Sequence, residues 1–481
     1  MKSVFRSFLC IFSLTLVSVV SIAGEQADKA IESVKTLVAQ GSIAPDSVIR
    51  LVAKQGNIAN FLGQNHDLKN RWEDATGILI DAKTMPQQAS IDYIQNQTDI
   101  DLTVARNREY ADLFHNNLIV DLSPFIEWFG FDLVDVQKSP FLMPKKQAFY
   151  AGIPVAIPAD GDIALLYLRK DLLENSDNQR SYQAQFNEPL QAPKTWLEYQ
   201  QQVAFFHRSE SGFYGSVEQR DEASGWMFWM PRYVSQAYPN QYLFDDTMKP
   251  LIDSEAGIAA TDSYLATLPY SPPDILNHSS NYTYTLPIFM SGKGYSTIIT
   301  LAGAKIFNSP HSKVRGKYIA VSMPGTQVGN IVNRRTTLIY GNNLVIPSTA
   351  ENKELAFLFA MWLTDPDISE LALSEKGGFA DPYRVSHFQS ETIQATYGKD
   401  VLDVALKEVS VTVPAGTGLP GDREYIAALN KNLFLAAKGE QSAQEAMRAT
   451  AKEWDQITEQ YGREQQIKYW LKMKALFPTV H

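Results

Sequence analysis

Thiol chemistry is almost missing from this 481-residue sequence, whose single cysteine is Cys10. That residue lies within an apolar N-terminal run, so the rest of the chain can form neither a disulfide nor a thiolate metal site. Histidine is also scarce. The seven present (His66, His115, His207, His278, His311, His387 and His481) are scattered without metal-ligand spacing. There is no basic excess: 43 Lys and Arg against 53 Asp and Glu give a net charge of −10, which argues against a nucleic-acid partner. Beyond the N-terminal run no stretch is apolar over the ~20 residues that a membrane-spanning helix needs. A G-x-S-x-G elbow, an H-E-x-x-H pair and a glycine-rich phosphate loop are all absent. These absences lead us to expect no catalytic residue, no metal and no cofactor.

What is present starts at the N-terminus. Lys2 and Arg6 precede the apolar run Phe8 to Val20, and small residues follow at Ser21 and Ala23. A basic start, a short apolar stretch and small residues two apart are the layout of a cleavable secretory signal, with cleavage after Ala23. Cys10 lies inside that signal and is not placed for lipid attachment, so the expectation is a periplasmic protein with no lipid anchor. Removing residues 1–23 leaves about 458 residues, enough for two or three domains. Composition is that of a globular chain, 45% hydrophobic and 20% charged, with a generous 11% of aromatic residues.

Patterning along the chain alternates between periods. Val48 to Ala53 is β-branched, and apolar residues then recur at helical spacing through Phe61, Leu62, Leu68 and Trp72. Gly77 stops that helix, Ile78 to Ile80 resume extended character, Ile100 to Ala105 form another strand, and a helix follows from about Glu109 to Phe114. This order predicts an α/β domain with a largely parallel sheet. Pro154, Pro158 and the Asp160-Gly161-Asp162 turn lead into a strand at Ile163 to Leu168, with a polar loop expected from Asn175 to Pro193. Thr195 to Glu198 and Ser442 to Glu445 fit capping boxes. Ala443, Met447, Trp454, Ile457 and Tyr461 then share one helix face that Gly462 can end.

Four phrases in this order resemble the family of extracellular solute-binding proteins that includes maltodextrin, oligosaccharide and polyol binders. They are Thr76-Gly77-Ile78; Ile157 to Asp162 running into Leu165 to Leu172; Pro193 to Tyr199; and Gly341 to Pro347 with Asn352 to Ala356. The resemblance spans almost the whole chain after residue 23. It implies a two-lobed α/β periplasmic-binding-protein fold, type II-like, with several crossovers in the hinge and a ligand cleft between the lobes. On that pattern lobe 1 takes residues 24–161 plus 319–364, and lobe 2 takes 162–318 plus 365–481. It further implies the substrate-binding component of an ABC importer, a monomer that hands a sugar to an inner-membrane permease.

In open α/β sheets ligands bind beyond the carboxyl ends of the strands. Sugar hydroxyls need planar donors and acceptors, and the ring face packs on aromatics. The residues placed for this are Gln55, Asn57, Asn107, Arg108, Asp160 and Asp162, with Trp226 and Trp229 from the aromatic cluster at 225–233. The resemblance adds Tyr340, Asn342 and Arg384, the last preceded by Gly377-Gly378-Phe379. Each of them also has a plain reading, as a solvated loop residue, a helix cap or core. Asp160 and Asp162 keep a cationic solute such as a polyamine open, and Arg108 and Arg384 keep an organic anion open. A secreted glycoside hydrolase with paired carboxylates is the enzyme alternative. A binding protein that reports to a membrane sensor is a third.

Overall fold

The computed structural model describes residues 24–86, 90–135, 141–278, 281–338, 341–414 and 416–479. The expected leader and Tyr340 lie outside these residues. Eight strands build two four-stranded sheets: β1 Val48–Lys54, β2 Leu79–Met85, β3 Leu102–Arg106, β4 Leu165–Arg169, β5 Tyr214–Ser216, β6 Gly294–Ile299, β7 Tyr318–Val321 and β8 Asn342–Val345. The first sheet runs β8-β3-β1-β2, and the second β5-β6-β4-β7. In the first, β1 is parallel to β2 and β3, while β8 returns antiparallel along β3 with Asn342 opposite Arg106. In the second, β4 is antiparallel to β6 and β7, and β5 is parallel to β6.

Helices cover the sheets, so β3 and β6 are buried at every position and read as continuous runs rather than alternating ones. The helix Lys353–Leu363 is apolar on all sides and buried from Leu355 to Leu363, as a helix enclosed by its neighbours must be. Trp72 meets Phe359 and Trp362 there, with ring centres 5.0 and 5.4 Å apart. Among the described residues no helix is long and apolar enough to cross a membrane.

Several expectations change in detail. The helical pattern through Trp72 is two helices, Gln55–Leu62 and Asp67–Thr76. Gly63, Asn65 and His66 between them all take positive φ, which breaks the hydrogen-bond ladder. The polar stretch after Asn175 contains the helix Ser176–Phe186. Asn175 caps it by accepting from the N–H groups of Asp177 and Asn178, and only Tyr182 is buried, so almost no apolar periodicity announces it. The expected lobe boundary at 318/319 falls at the start of β7, which is hydrogen-bonded to β4 in the second sheet. The chain rejoins the first sheet only at β8.

The chain passes between the sheets through two adjacent segments. Ile157 bridges to Leu344 and Ile163 to Leu338, so residues 158–162 and 341 run side by side. The C-terminal helices Asp422–Ala437, Ala443–Gln460 and Arg463–Lys474 touch both halves. Helix 422–437 packs on Gly225–Val234, which follows β5. Tyr469 lies 5.5 Å from Tyr150, and Lys472 Nζ donates to the Ala151 carbonyl at 2.9 Å on the side of the first sheet.

Candidate functional site

Strand ends aim three loops at the crossover. β1 ends on Lys54, and the next residues start a helix on which Gln55 is exposed and Asn57 is buried. Lys54 is itself buried. Its Nζ donates to Asn342 Oδ1 at 2.7 Å, and burial, with the nearby Arg106 charge, pulls the ammonium down to about 7. β3 ends on Arg106, whose N–H donates to Glu109 Oε2 at 2.9 Å. That bond tightens the turn carrying Asn107 and Arg108.

Asn107 Nδ2 reaches the Lys146 carbonyl at 3.4 Å, while its Oδ1 is buried with no hydrogen-bond partner. Arg108 Nη1 is 3.4 Å from Asp422 Oδ2, its guanidinium lies 5.7 Å from the centre of the Trp226 ring, and its Nε is buried and unpaired. Arg108 follows a strand of the first sheet and Trp226 sits on the helix after a strand of the second, so this contact joins the two halves. The backbone N–H of Trp226 donates to Asn430 Oδ1 at 3.0 Å, and its indole N–H has no partner although the side chain is buried. Trp229, also buried, donates its indole N–H to Thr261 Oγ1 at 2.8 Å and stacks on Tyr233 with centroids 4.6 Å apart. Its surroundings are those of core.

Beside Arg108 a small pocket of about 80 Å³ is lined by Ile91, Asp92, Arg108, Glu109, Asp112, Asp422 and Arg423. Burial raises Asp112 to about 6, with the Asp422 charge adding to it. Asp422 is raised by burial and held down by Arg108 and the Thr417 hydrogen bonds.

Asp160 and Asp162 are buried on the first crossover. Asp162, at φ 40°, accepts the Gly341 N–H at 2.6 Å, and Asp160 Oδ1 accepts the Asp381 N–H at 2.8 Å. Gly161 between them has to be glycine, because a Cβ there would stand 2.2 Å from the Pro382 carbonyl oxygen. Arg384 is fully buried. Its Nε donates to the Thr364 carbonyl at 2.5 Å and Nη2 to Gln26 Oε1 at 3.0 Å, its guanidinium sits 3.9 Å from the Phe141 ring centre, and burial lowers it to about 10. These bonds fasten the first helix to the loop carrying Arg384.

The structure therefore sets Asn107, Arg108 and Trp226 beside Asp160, Asp162 and Asn342 with Lys54: the Asn107 amide lies against Gly341, whose N–H Asp162 accepts. Sequence reasoning missed Lys54, Asp112, Asp381 and Asp422. It also missed Asn60, which bonds the Ala372 carbonyl and the Ala380 N–H at 2.6 and 3.0 Å beneath the Gly377-Gly378 loop. Only Lys54, the last residue of a strand, carried a positional signal.

Two half-sheets joined by paired crossovers, with polar loops from both meeting between them, define a two-lobed binding fold. Solved structures share it. A solute-binding protein of Agrobacterium radiobacter K84 in complex with ribitol superposes with a TM-score of 0.68 at 20% identity, over 85% of this chain and 98% of that one. Maltose-bound MalE3 of T. maritima gives 0.68 at 18% identity, over 85% and 100%. A solute-binding protein of Agrobacterium vitis S4 with bound D-mannitol gives 0.69 at 15%, over 86% and 99%. No curated protein matches the sequence. The family model of bacterial extracellular solute-binding proteins matches residues 101–370, more than half of the chain, and the protein belongs to that family.

Proposed function

We propose that the protein binds a carbohydrate, either an oligosaccharide or a polyol, between its lobes and delivers it to an ABC permease without catalysing any reaction. In this reading residues 1–23 export it to the periplasm. The observation that carries the ligand class is the set of unpaired buried polar atoms where the lobes meet: Asn107 Oδ1, Arg108 Nε and the Trp226 indole N–H. Buried polar atoms without partners are costly. A polyhydroxyl solute both donates and accepts, so it can satisfy the carbonyl and the two N–H groups at once, with the indole face as a platform. The ribitol, maltose and mannitol complexes of structurally similar proteins support the same class. Closure is a population shift: the solute bridges both lobes and stabilises the closed form.

A thermal-shift screen of the mature protein against sugars, polyols, polyamines and organic acids tests this, because a ligand that binds only the folded state raises Tm. The expected result is a saturable rise with a polyol or oligosaccharide and unchanged solute after prolonged incubation. A rise confined to amines or anions, or turnover of the sugar, would overturn the reading.

A further inference from the structure

Three carboxylates converge on the crossover. Asp160 and Asp162 lie on the first crossover, Asp381 arrives from the loop after Gly378, and their relative exposures are 2%, 3% and 0%. One oxygen from each lies within 4.8 Å of the others. Asp160 and Asp162 are tied to backbone N–H groups as described. Asp381 differs: both of its carboxylate oxygens are sealed from solvent and make no hydrogen bond of normal geometry, although Thr300 and the Ala302 backbone are near enough to ease its charge. A side chain held by the Asp160 backbone is also half used. Gln147 is fully buried and its Nε2 donates to the Asp160 carbonyl at 2.6 Å, while its Oε1 has no partner.

The cations that feel these carboxylates are Lys54 and Lys305, and both are committed elsewhere. Lys54 Nζ is on Asn342. Lys305 Nζ donates to the carbonyls of Leu373, Glu375 and Gly378 at 2.9, 2.7 and 3.1 Å. An uncompensated buried carboxylate costs several kcal/mol, so the group calls for either protons or a cation. The donor set is all oxygen, which suits a hard divalent ion and not zinc or copper. Calcium bonds oxygen at about 2.3–2.6 Å, so ligands across one ion stand up to roughly 4.6–5.2 Å apart, the scale of this cluster.

We propose that Asp160, Asp162 and Asp381 hold one divalent cation, best matched by Ca²⁺, and that the ion pins the first crossover to the loop bearing Asp381. Its role is structural and independent of which solute the protein carries. Burial raises all three carboxyls, so uptake of the ion must displace protons and tighten as pH rises.

The test uses chelator-treated full-length mature protein without solute, titrated with CaCl₂, MgCl₂ and MnCl₂ by calorimetry and by thermal melting. One ion per chain, a rise in Tm and a heat that varies with buffer ionisation are expected. Tb³⁺ should give sensitised luminescence, since Tyr397 donates to the Ala380 carbonyl at 2.6 Å next to the cluster. Asp381→Asn should weaken Ca²⁺ at least tenfold. Its Tm in chelator should match or exceed that of the unmodified protein, because an unpaired charge is removed. Asp160→Asn provides a second variant should Asp381→Asn fail to fold. No saturable response to any ion, with Tm rising only on acidification, would show that shared protons hold the cluster and would overturn the proposal. So would unchanged Ca²⁺ binding by a folded variant. Neither result bears on sugar binding, which is measured separately.

Discussion

Trp226 and Trp229 lie three residues apart on one helix and are equally enclosed, yet only Trp226 keeps an unused polar atom. The sequence shows both as one aromatic cluster, since residues at i and i+3 share a helix face. What separates them is Thr261, 32 positions on, which satisfies the Trp229 indole, and no local pattern could reveal it. The same limit hid Asp381 and Asp422, whose partners are hundreds of residues away along the chain. What the sequence does convey for Asn107 and Arg108 is their position directly after a strand. Trp226→Phe keeps the apolar surface and removes only the N–H. It should leave Tm nearly unchanged and weaken solute binding about tenfold, the ~1.4 kcal/mol of one hydrogen bond, as read by calorimetry. Trp229→Ala should instead cost about 3–5 kcal/mol of stability in urea unfolding. Equal affinity for Trp226→Phe and the parent protein would remove Trp226 from the site.

At the level of elements, helix ends and buried strands were the readable parts because their signals are local. Ser442 forms the full capping box, with Ser442 Oγ accepting from the Glu445 N–H and the Glu445 carboxylate accepting from the Ser442 N–H. At Thr195 half of the expected pattern holds. Thr195 Oγ1 accepts from the Glu198 N–H at 3.2 Å, but the Glu198 carboxylate reaches back one residue further, to the Lys194 N–H at 2.7 Å. The helix Ser176–Phe186 escaped notice because it buries a single side chain and so lacks an apolar stripe. A helix with so little tertiary support depends on its cap. Asn175→Ala should therefore destabilise it by about 1 kcal/mol, seen as faster amide exchange across 176–186 than across the buried helix 353–363. Unchanged exchange at 176–186 would mean that packing through Tyr182 is sufficient.

Across the whole molecule, resemblance to a family conveyed two lobes and a hinge, while the place where the chain changes lobes depended on which strand β7 pairs with, a non-local fact. The C-terminal helices were expected in lobe 2 alone, and in the structure the first of them also latches the first sheet's side. Asp112 accepts the Gly421 N–H at 2.6 Å and the Arg423 N–H at 3.4 Å, and the Arg423 guanidinium holds Asp92 at 2.6 and 3.2 Å. Because helix 422–437 also packs on helix 225–234, separating the lobes would break these bonds and expose Asp112. Asp112 is raised to about 6 by burial and the Asp422 charge, with Glu424 adding to it, whereas an exposed aspartate titrates near ~4. The buried, latched form therefore binds the proton more tightly. Its advantage is complete below about 4, and it is lost as pH rises through about 6. Solute affinity, which depends on the closed form, should fall by up to about tenfold between pH 5 and pH 7.5 at fixed calcium. Asp112→Asn should bind with little pH dependence and more tightly than the parent at pH 5, as the fully protonated parent would, because its amide oxygen still accepts the Gly421 N–H without carrying charge. Arg423→Ala should bind more weakly at both pH values while keeping the slope. A parent protein whose affinity is flat over this range, or an Asp112→Asn variant with the parent's slope, would show that the latch does not report on closure.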